Sequence, residues 1–377
     1  MQILESKTIY RDEEYVAFPN LARLADGTVI CAFRHAKERQ KEFGKHTHID
    51  PTAKNVFIVS PDGGKTFDPA LQLILDDEMS DQDPCVNVLS DGRIIVTYFR
   101  WAMCPIGEGI KLWGEENFRS FGRSAENNRY DCYPTGAAYC ISDDNGKTWR
   151  HMPNLVVEGA PSGIAVRGNI TELPDGTLLM PYYGALRVGQ LSSCGLLRSL
   201  DHGETWAPYS IMAFDPECKK NFVEANIYRT ESGRIIGLYR TQTDYQAAKR
   251  AGIPFDSTYL NLHISVSDDD GKTFGPLQEI ENCWSSNPFH ALRLKSGKVL
   301  LTYGYRRKPY GIRARVCNAE LTDISEAEEL ILRDDSLTGD LGYPNAIQLD
   351  NGDILVTYYI VAPDKIRTID VTRLRED

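Results

Sequence analysis

Little in this sequence points to a membrane, a disulfide framework or a bound cofactor. No apolar run approaches the ~18 residues a membrane helix needs, and the opening stretch MQILESKTIYRDEEYVAF carries no apolar leader. The nine cysteines are odd in number and none stands in a Cys-x-x-Cys pair, so reduced thiols in a cytoplasmic compartment are expected. There is no phosphate-binding loop, dinucleotide fingerprint or His-Glu-x-x-His, so no cofactor and no metal is expected. The short His-rich stretch HTHID from His46 reads as a polar loop. Positive charge is short as well: 42 Lys and Arg against 53 Asp and Glu give a formal charge of −11. That argues against nucleic acid or an anionic membrane surface as the main partner, since both need a positive field, and leaves any acidic ligand dependent on a local basic pocket. Helical periodicity is scarce, with DYQAAKRAG from Asp244 the best stretch.

What the sequence does have is a repeat. An apolar strand, a turn ending in Gly and a second apolar strand recur six times, as in FPNLARLADGTVICAFR from Phe18, EANIYRTESGRIIGLYR from Glu224 and YPNAIQLDNGDILVTYYI from Tyr343. Asp-Gly, Ser-Gly or Asn-Gly supplies the positive φ that such a hairpin needs. The turn glycines Gly27, Gly92, Gly176, Gly233, Gly297 and Gly352 lie 55 to 84 residues apart, room for four strands each. Residues 1–377 are therefore expected to form one all-β domain, a six-bladed β-propeller. An octapeptide follows four of the hairpins: SPDGGKTF from Ser60, SDDNGKTW from Ser142, SLDHGETW from Ser199 and SDDDGKTF from Ser267. Its Asp and Gly suit a tight turn and its last aromatic suits packing between blades. Residues 37–51 and 101–130 read as long loops of the kind that carry function.

Counting back from each turn glycine puts Phe18, Asp83, Arg167, Glu224, Pro288 and Tyr343 nine residues before it, at the expected start of each inner strand. Asn20, Cys85, Asn169, Asn226, His290 and Asn345 stand seven before it. Period-two alternation gives the two positions one strand face, so their polarity predicts a lined, hydrated central channel. Seven residues after the glycine come Arg34, Phe99, Tyr183, Arg240, Gly304 and Tyr359, with Arg100 and Arg306 just beyond. One end of the propeller thus gathers arginines, carboxylates and a tyrosine, a rim suited to an anionic or polyhydroxylated ligand.

The octapeptide resembles the Asp-box of the sialidase (neuraminidase) superfamily, whose active sites pair a Tyr nucleophile with a Glu, add an Asp acid/base and hold the substrate carboxylate with three arginines. LGYPNAIQLDNGDILVTYY resembles the segment that brings the nucleophile, which implies that role for Tyr343. EANIYRTESGRIIGLYR resembles the segment that carries the catalytic Glu and a triad Arg, which implies Glu224 and Arg240. A carboxylate partner makes chemical sense, because a phenol of pKa near 10 is a poor nucleophile until a base takes its proton. Asp50 stands where the resemblance expects the acid, with His46 and His48 as rivals. The first-blade Arg of the family pattern is missing, since VAFPNL has Ala17 or Phe18 there. Arg34 or Arg167 could reach the same space, Asp83 is a further candidate contact, and Arg306, Arg307 or Arg313 could supply the third cation.

The resemblance implies an exo-acting retaining glycoside hydrolase on sialic acid or another, acidic or neutral, terminal sugar. Two other readings stay open: a uronic-acid lyase using an arginine with Tyr or with His35, His48 or His290, and a non-catalytic carbohydrate-binding propeller.

Overall fold

A computed structural model of the chain describes residues 1–44, 48–114, 130–160, 163–187, 189–252 and 259–377. Six antiparallel sheets follow one another along it, over residues 15–75, 80–151, 165–213, 220–284, 290–333 and 342–375. They are blades one to six. Each is a four-stranded meander, and the inner strand of blade three is split into Ala165–Val166 and Thr171–Glu172. The outermost strand of blade six comes from the other end of the chain: Gln2–Arg11 pairs antiparallel with Arg367–Arg375. Joining first and last residues in one sheet closes the ring and leaves no blade unpaired at the seam.

The apolar alternation of the repeats has a direct consequence in packing. Six separate cores lie between neighbouring blades, one at each interface from blades one and two round to blades six and one. The second strands, such as Ile94–Pro105 and Ile354–Val361, therefore run apolar on both faces. All six turn glycines have φ between +85° and +95°, as the hairpin reading requires. The stretch after Asp244, the best helical candidate and read as a loop insertion, carries a short helix over Tyr245–Arg250. The loop read over 101–130 is shorter than expected, because strands extend to Pro105 and resume at Tyr130.

The four octapeptides are inter-blade fasteners. In the first, Ser60 Oγ donates to Asp62 (2.7 Å) and accepts from Gly64 N (2.7 Å), and Asp62 accepts from the amides of Lys65 and Thr66 and from the Thr66 hydroxyl. The same bonds recur at Ser142, Ser199 and Ser267. The turn glycine then docks on the preceding blade. A Cβ on Gly64 would sit 2.3 Å from Leu355 Cδ1 of blade six, and one on Gly203 would sit 2.3 Å from Ile95 of blade two. Gly64→Ala is expected to destabilise by about 2–4 kcal/mol, combining left-handed backbone strain at φ +76° with overpacking against a fully buried leucine. Equilibrium urea denaturation reads this directly, and a loss under about 0.5 kcal/mol contradicts the fastener account.

Candidate active site

Four of the six inner strands carry the same irregularity in the same place. Register slips by one residue between Ala17 and Asn20, Gln82 and Cys85, Val223 and Asn226, and Gly342 and Asn345. The residue at each bulge has positive φ: Phe18 (59°), Asp83 (50°), Glu224 (48°) and Tyr343 (54°). These residues do not simply begin the strands, as the register argument expected; Phe18, Asp83 and Glu224 lie inside them. The bulge interrupts the period-two alternation and re-aims one side chain per blade. Pro follows Phe18, Asp83 and Tyr343, and a residue without an N–H fits a position where the ladder is broken. Left-handed backbone at a non-glycine costs on the order of 1–3 kcal/mol, and four such residues stand at one end of the propeller.

The re-aimed side chains converge. Tyr343 Oη donates to Glu224 Oε1 at 2.6 Å, and Arg240 Nη1 donates to Glu224 Oε2 at 2.6 Å while lying 3.1 Å from the phenol oxygen. Phe18 packs edge-on against the Tyr343 ring at 4.7 Å, and the guanidinium carbons of Arg167 and Arg306 lie 5.2 and 5.9 Å from its centroid. Arg167 Nε lies 3.8 Å from Asp83 Oδ2. Burial, reinforced by the Glu224 carboxylate, holds the Tyr343 phenol well above its ordinary pKa, with Arg240 opposing. It therefore rests neutral, hydrogen-bonded to a base. Burial likewise pushes the Asp83 carboxyl up to about 7 against the pull of Arg167, with Glu224 adding to the rise.

Asp50 is placed otherwise. It is fully buried, and its carboxylate accepts from Arg39 Nε (2.7 Å), Arg39 Nη2 (3.2 Å), and the amide and hydroxyl of Thr52 (2.9 and 2.7 Å). Burial raises its pKa, but these donors outweigh that and hold it below the usual carboxylate range. Such a group is an anion held in a salt bridge, not a poised acid. His46 lies outside the described residues. His48 Nδ1 is 3.2 Å from Tyr15 Oη, and its ring lies over Phe18 with centroids 6.2 Å apart. His35 binds Asp12 at 2.8 Å, and His290 accepts from Ala346 N, with burial pulling its pKa down to about 4.

Of the arginines, Arg240 and Arg306 stand at the mouth. Arg306 donates to Leu341 O and reaches Tyr259 Oη at 3.3 Å, and Arg240 Nη2 reaches the same oxygen at 3.1 Å. Arg34 is fully buried, 5.0 Å from the Tyr15 centroid, and among the described residues none of its three guanidinium nitrogens has a hydrogen-bond partner. Two sequence candidates are corrected. Arg313 is engaged by the carbonyls of Ile312, Arg333 and Pro309, and Arg307 stacks 3.6 Å over Trp284 on the outer strand of blade four. Arg100, at the rim by sequence, pairs with Asp77.

Of the residues seven before the glycine, Asn169, His290 and Asn345 line a cavity on the axis. The asparagines also cross-link the blades: Asn169 Oδ1 accepts from both Asn20 and Asn345, while Asn20 and Asn345 accept from the amides of Val86 and Leu21 in the next blade. The axis below the mouth is polar.

Sequence reasoning missed a second network beside the first. Asp340 accepts from Tyr15, Tyr359 and Arg367, and Arg367 lies 3.9 Å from the Tyr15 centroid, on the same ring that Arg34 approaches. Its only signal is the +7 position of Tyr359, since Tyr15 and Arg367 meet through closure of the ring.

A protein of unknown function from Dyadobacter fermentans is 33% identical over 100% of this chain and 99% of that one, with a TM-score of 0.86. The NanB sialidase of Streptococcus pneumoniae is 14% identical over 98% of this chain and 70% of its own, with a TM-score of 0.63. The α-L-arabinofuranosidase of Fusarium graminearum is 11% identical over 100% and 98%, with a TM-score of 0.67. At these last two identities the likeness is one of fold. No curated protein matches the sequence. The family model for the BNR repeat-like domain matches residues 122–356, and with that match and a full-length relative at 33% identity, the chain belongs to the BNR repeat-like domain family.

Proposed function

We propose that the protein is an exo-acting retaining glycoside hydrolase with Tyr343 as nucleophile, Glu224 as its base and Asp83, in place of Asp50, as acid/base. The observation that carries the reading is the buried 2.6 Å hydrogen bond from the Tyr343 phenol to Glu224, built from two strained bulges two blades apart. In the first half-reaction Asp83 protonates the glycosidic oxygen, Glu224 takes the phenolic proton, and Tyr343 Oη forms the bond to the anomeric carbon as the leaving group departs. In the second, Asp83 deprotonates a water that attacks the same carbon, and Glu224 returns the proton to the departing tyrosine. A neutral nucleophile suits an anionic sugar, because no carboxylate approaches the charged substrate.

Charge at the mouth supports an acidic terminal sugar as substrate. Arg240 pairs with Glu224, Arg34 acts on Asp83, Arg306 lies beside Tyr343, and none of the three guanidinium nitrogens of Arg34 has a hydrogen-bond partner among the described residues. An anionic or densely hydroxylated ring is the complement of such a surplus. The names of the fold neighbours widen the panel to be tried: aryl glycosides of sialic acid, uronic acids, α-L-arabinofuranose and neutral hexoses, read by release of the chromophore. Cleavage of at least one, with a rate that falls as pH rises through about 7 and with that limb absent in Asp83→Asn, is the expected result. The sign follows from the role, because an acid whose pKa is near 7 loses its proton above it. A panel that is bound but never cleaved favours the non-catalytic reading.

A further inference from the structure

The Arg167 guanidinium is held by groups of two other blades. The residue follows Ala165–Val166 at the break in the inner strand of blade three, and is 5% exposed. Its Nη1 lies 2.8 Å from Cys85 Sγ, its Nη2 donates to Pro19 O at 3.3 Å, and Cys85 Sγ lies 2.9 Å from the carbonyl of Arg167 itself. The guanidinium is thus gripped by the inner strands of blades one and two. Gly168 permits the placement: a Cβ there would lie 2.4 Å from Ala225 O, so the backbone carrying Arg167 runs directly against the bulge that carries Glu224. One face of the cation lies under the Tyr343 ring at 5.2 Å and its Nε lies 3.8 Å from Asp83.

We propose that Arg167 is a positioning residue and not a substrate ligand: a floor cation that holds Tyr343 and Asp83 from below and governs proton movement at both. Its geometry serves two moments of the cycle. When Glu224 draws the proton from Tyr343, negative charge appears on a phenol whose ring already lies over a guanidinium. When Asp83 gives its proton to the leaving group, the carboxylate that remains has a cation within 4 Å. The other groups facing Asp83 are Arg34 of blade one, Cys85 of its own strand, Tyr183 of blade three, Glu224 and Arg240 of blade four and Tyr343 of blade six. Only Arg167 makes an ion pair with Asp83 among the described residues. Burial dominates the rise of Asp83, and Arg167 is the largest influence opposing it.

The inference rests on the hydrolase reading only for the kinetic half of its test. The direct half is titration of the Asp83 carboxyl by carbon NMR in protein labelled at aspartate, its resonance assigned by loss in Asp83→Asn. Wild type is expected to titrate near pH 7. Arg167→Met, and Arg167→Gln as a second uncharged variant, should raise the proton affinity of Asp83 about tenfold or more, the usual effect of removing an adjacent opposite charge. Arg167→Lys should restore most of the difference. On a cleaved glycoside, the uncharged variants should carry the falling limb of kcat to higher pH with KM changed less than about threefold. A merely structural arginine would lower Tm and leave the titration in place. An unmoved Asp83 midpoint in folded Arg167→Met or Arg167→Gln overturns the proposal, and a raised KM with an unmoved limb makes Arg167 a substrate ligand after all. If the midpoint moves but no glycoside is cleaved, the floor cation stands and the hydrolase reading falls.

Discussion

Tyr343→Phe is expected to abolish glycoside hydrolysis while leaving substrate binding nearly intact. The change removes one oxygen. The ring keeps its contacts with Phe18, Arg167 and Arg306, and Glu224 keeps its ion pair with Arg240, so no buried charge is left without a partner. Only the atom that would bond to the anomeric carbon is lost, and removal of a nucleophile lowers kcat by on the order of 10⁴ or more. Steady-state kinetics on the best aryl glycoside, with product affinity from calorimetry, separates the two effects. A kcat within tenfold of wild type would show that another group is the nucleophile.

Glu224→Gln is expected to lower kcat by about 10²–10⁴, the usual size of general-base assistance. The amide can still accept a hydrogen bond from the phenol but cannot take its proton, and the phenol, raised by burial, does not ionise alone. The change also removes the anionic partner of a buried arginine, since Glu224 and Arg240 are both within a tenth of full burial. Some loss of stability should accompany it, and rates are therefore to be measured well below the melting transition. Combined with Tyr343→Phe, the two losses should not add, because each disables one unit. A double variant slower by the product of the single effects would mean that Glu224 acts independently of the tyrosine.

What could be read from the sequence was local. Turn glycines, apolar alternation and the octapeptide each depend on residues within one hairpin, so the repeat and the propeller follow from them. The placing of Glu224 and Tyr343 at one height of the ring followed from counting, because blades of equal register bring equal positions together. Counting could not show the bulges, although Phe18-Pro19, Asp83-Pro84 and Tyr343-Pro344 are a signal that a strand ladder breaks there. Nor could it show that Asp50 is held by Arg39, since residue types and spacing within the 37–51 connection do not say which of its charged side chains meet. Arg307 and Arg313 looked like rim cations for the same reason: sequence gives a charge its position along a strand, but not whether neighbouring carbonyls or a Trp ring have already engaged it.

The central claim is that a tyrosine forms the covalent bond to the sugar, and trapping that bond tests it most directly. A fluorinated, slowly turned-over glycosyl fluoride of whichever sugar the panel identifies should accumulate as a one-to-one adduct. Digestion and tandem mass spectrometry should place the added sugar on Tyr343. An adduct on Glu224 or Asp83, or steady turnover of that reagent with Tyr343 never modified, would contradict the account.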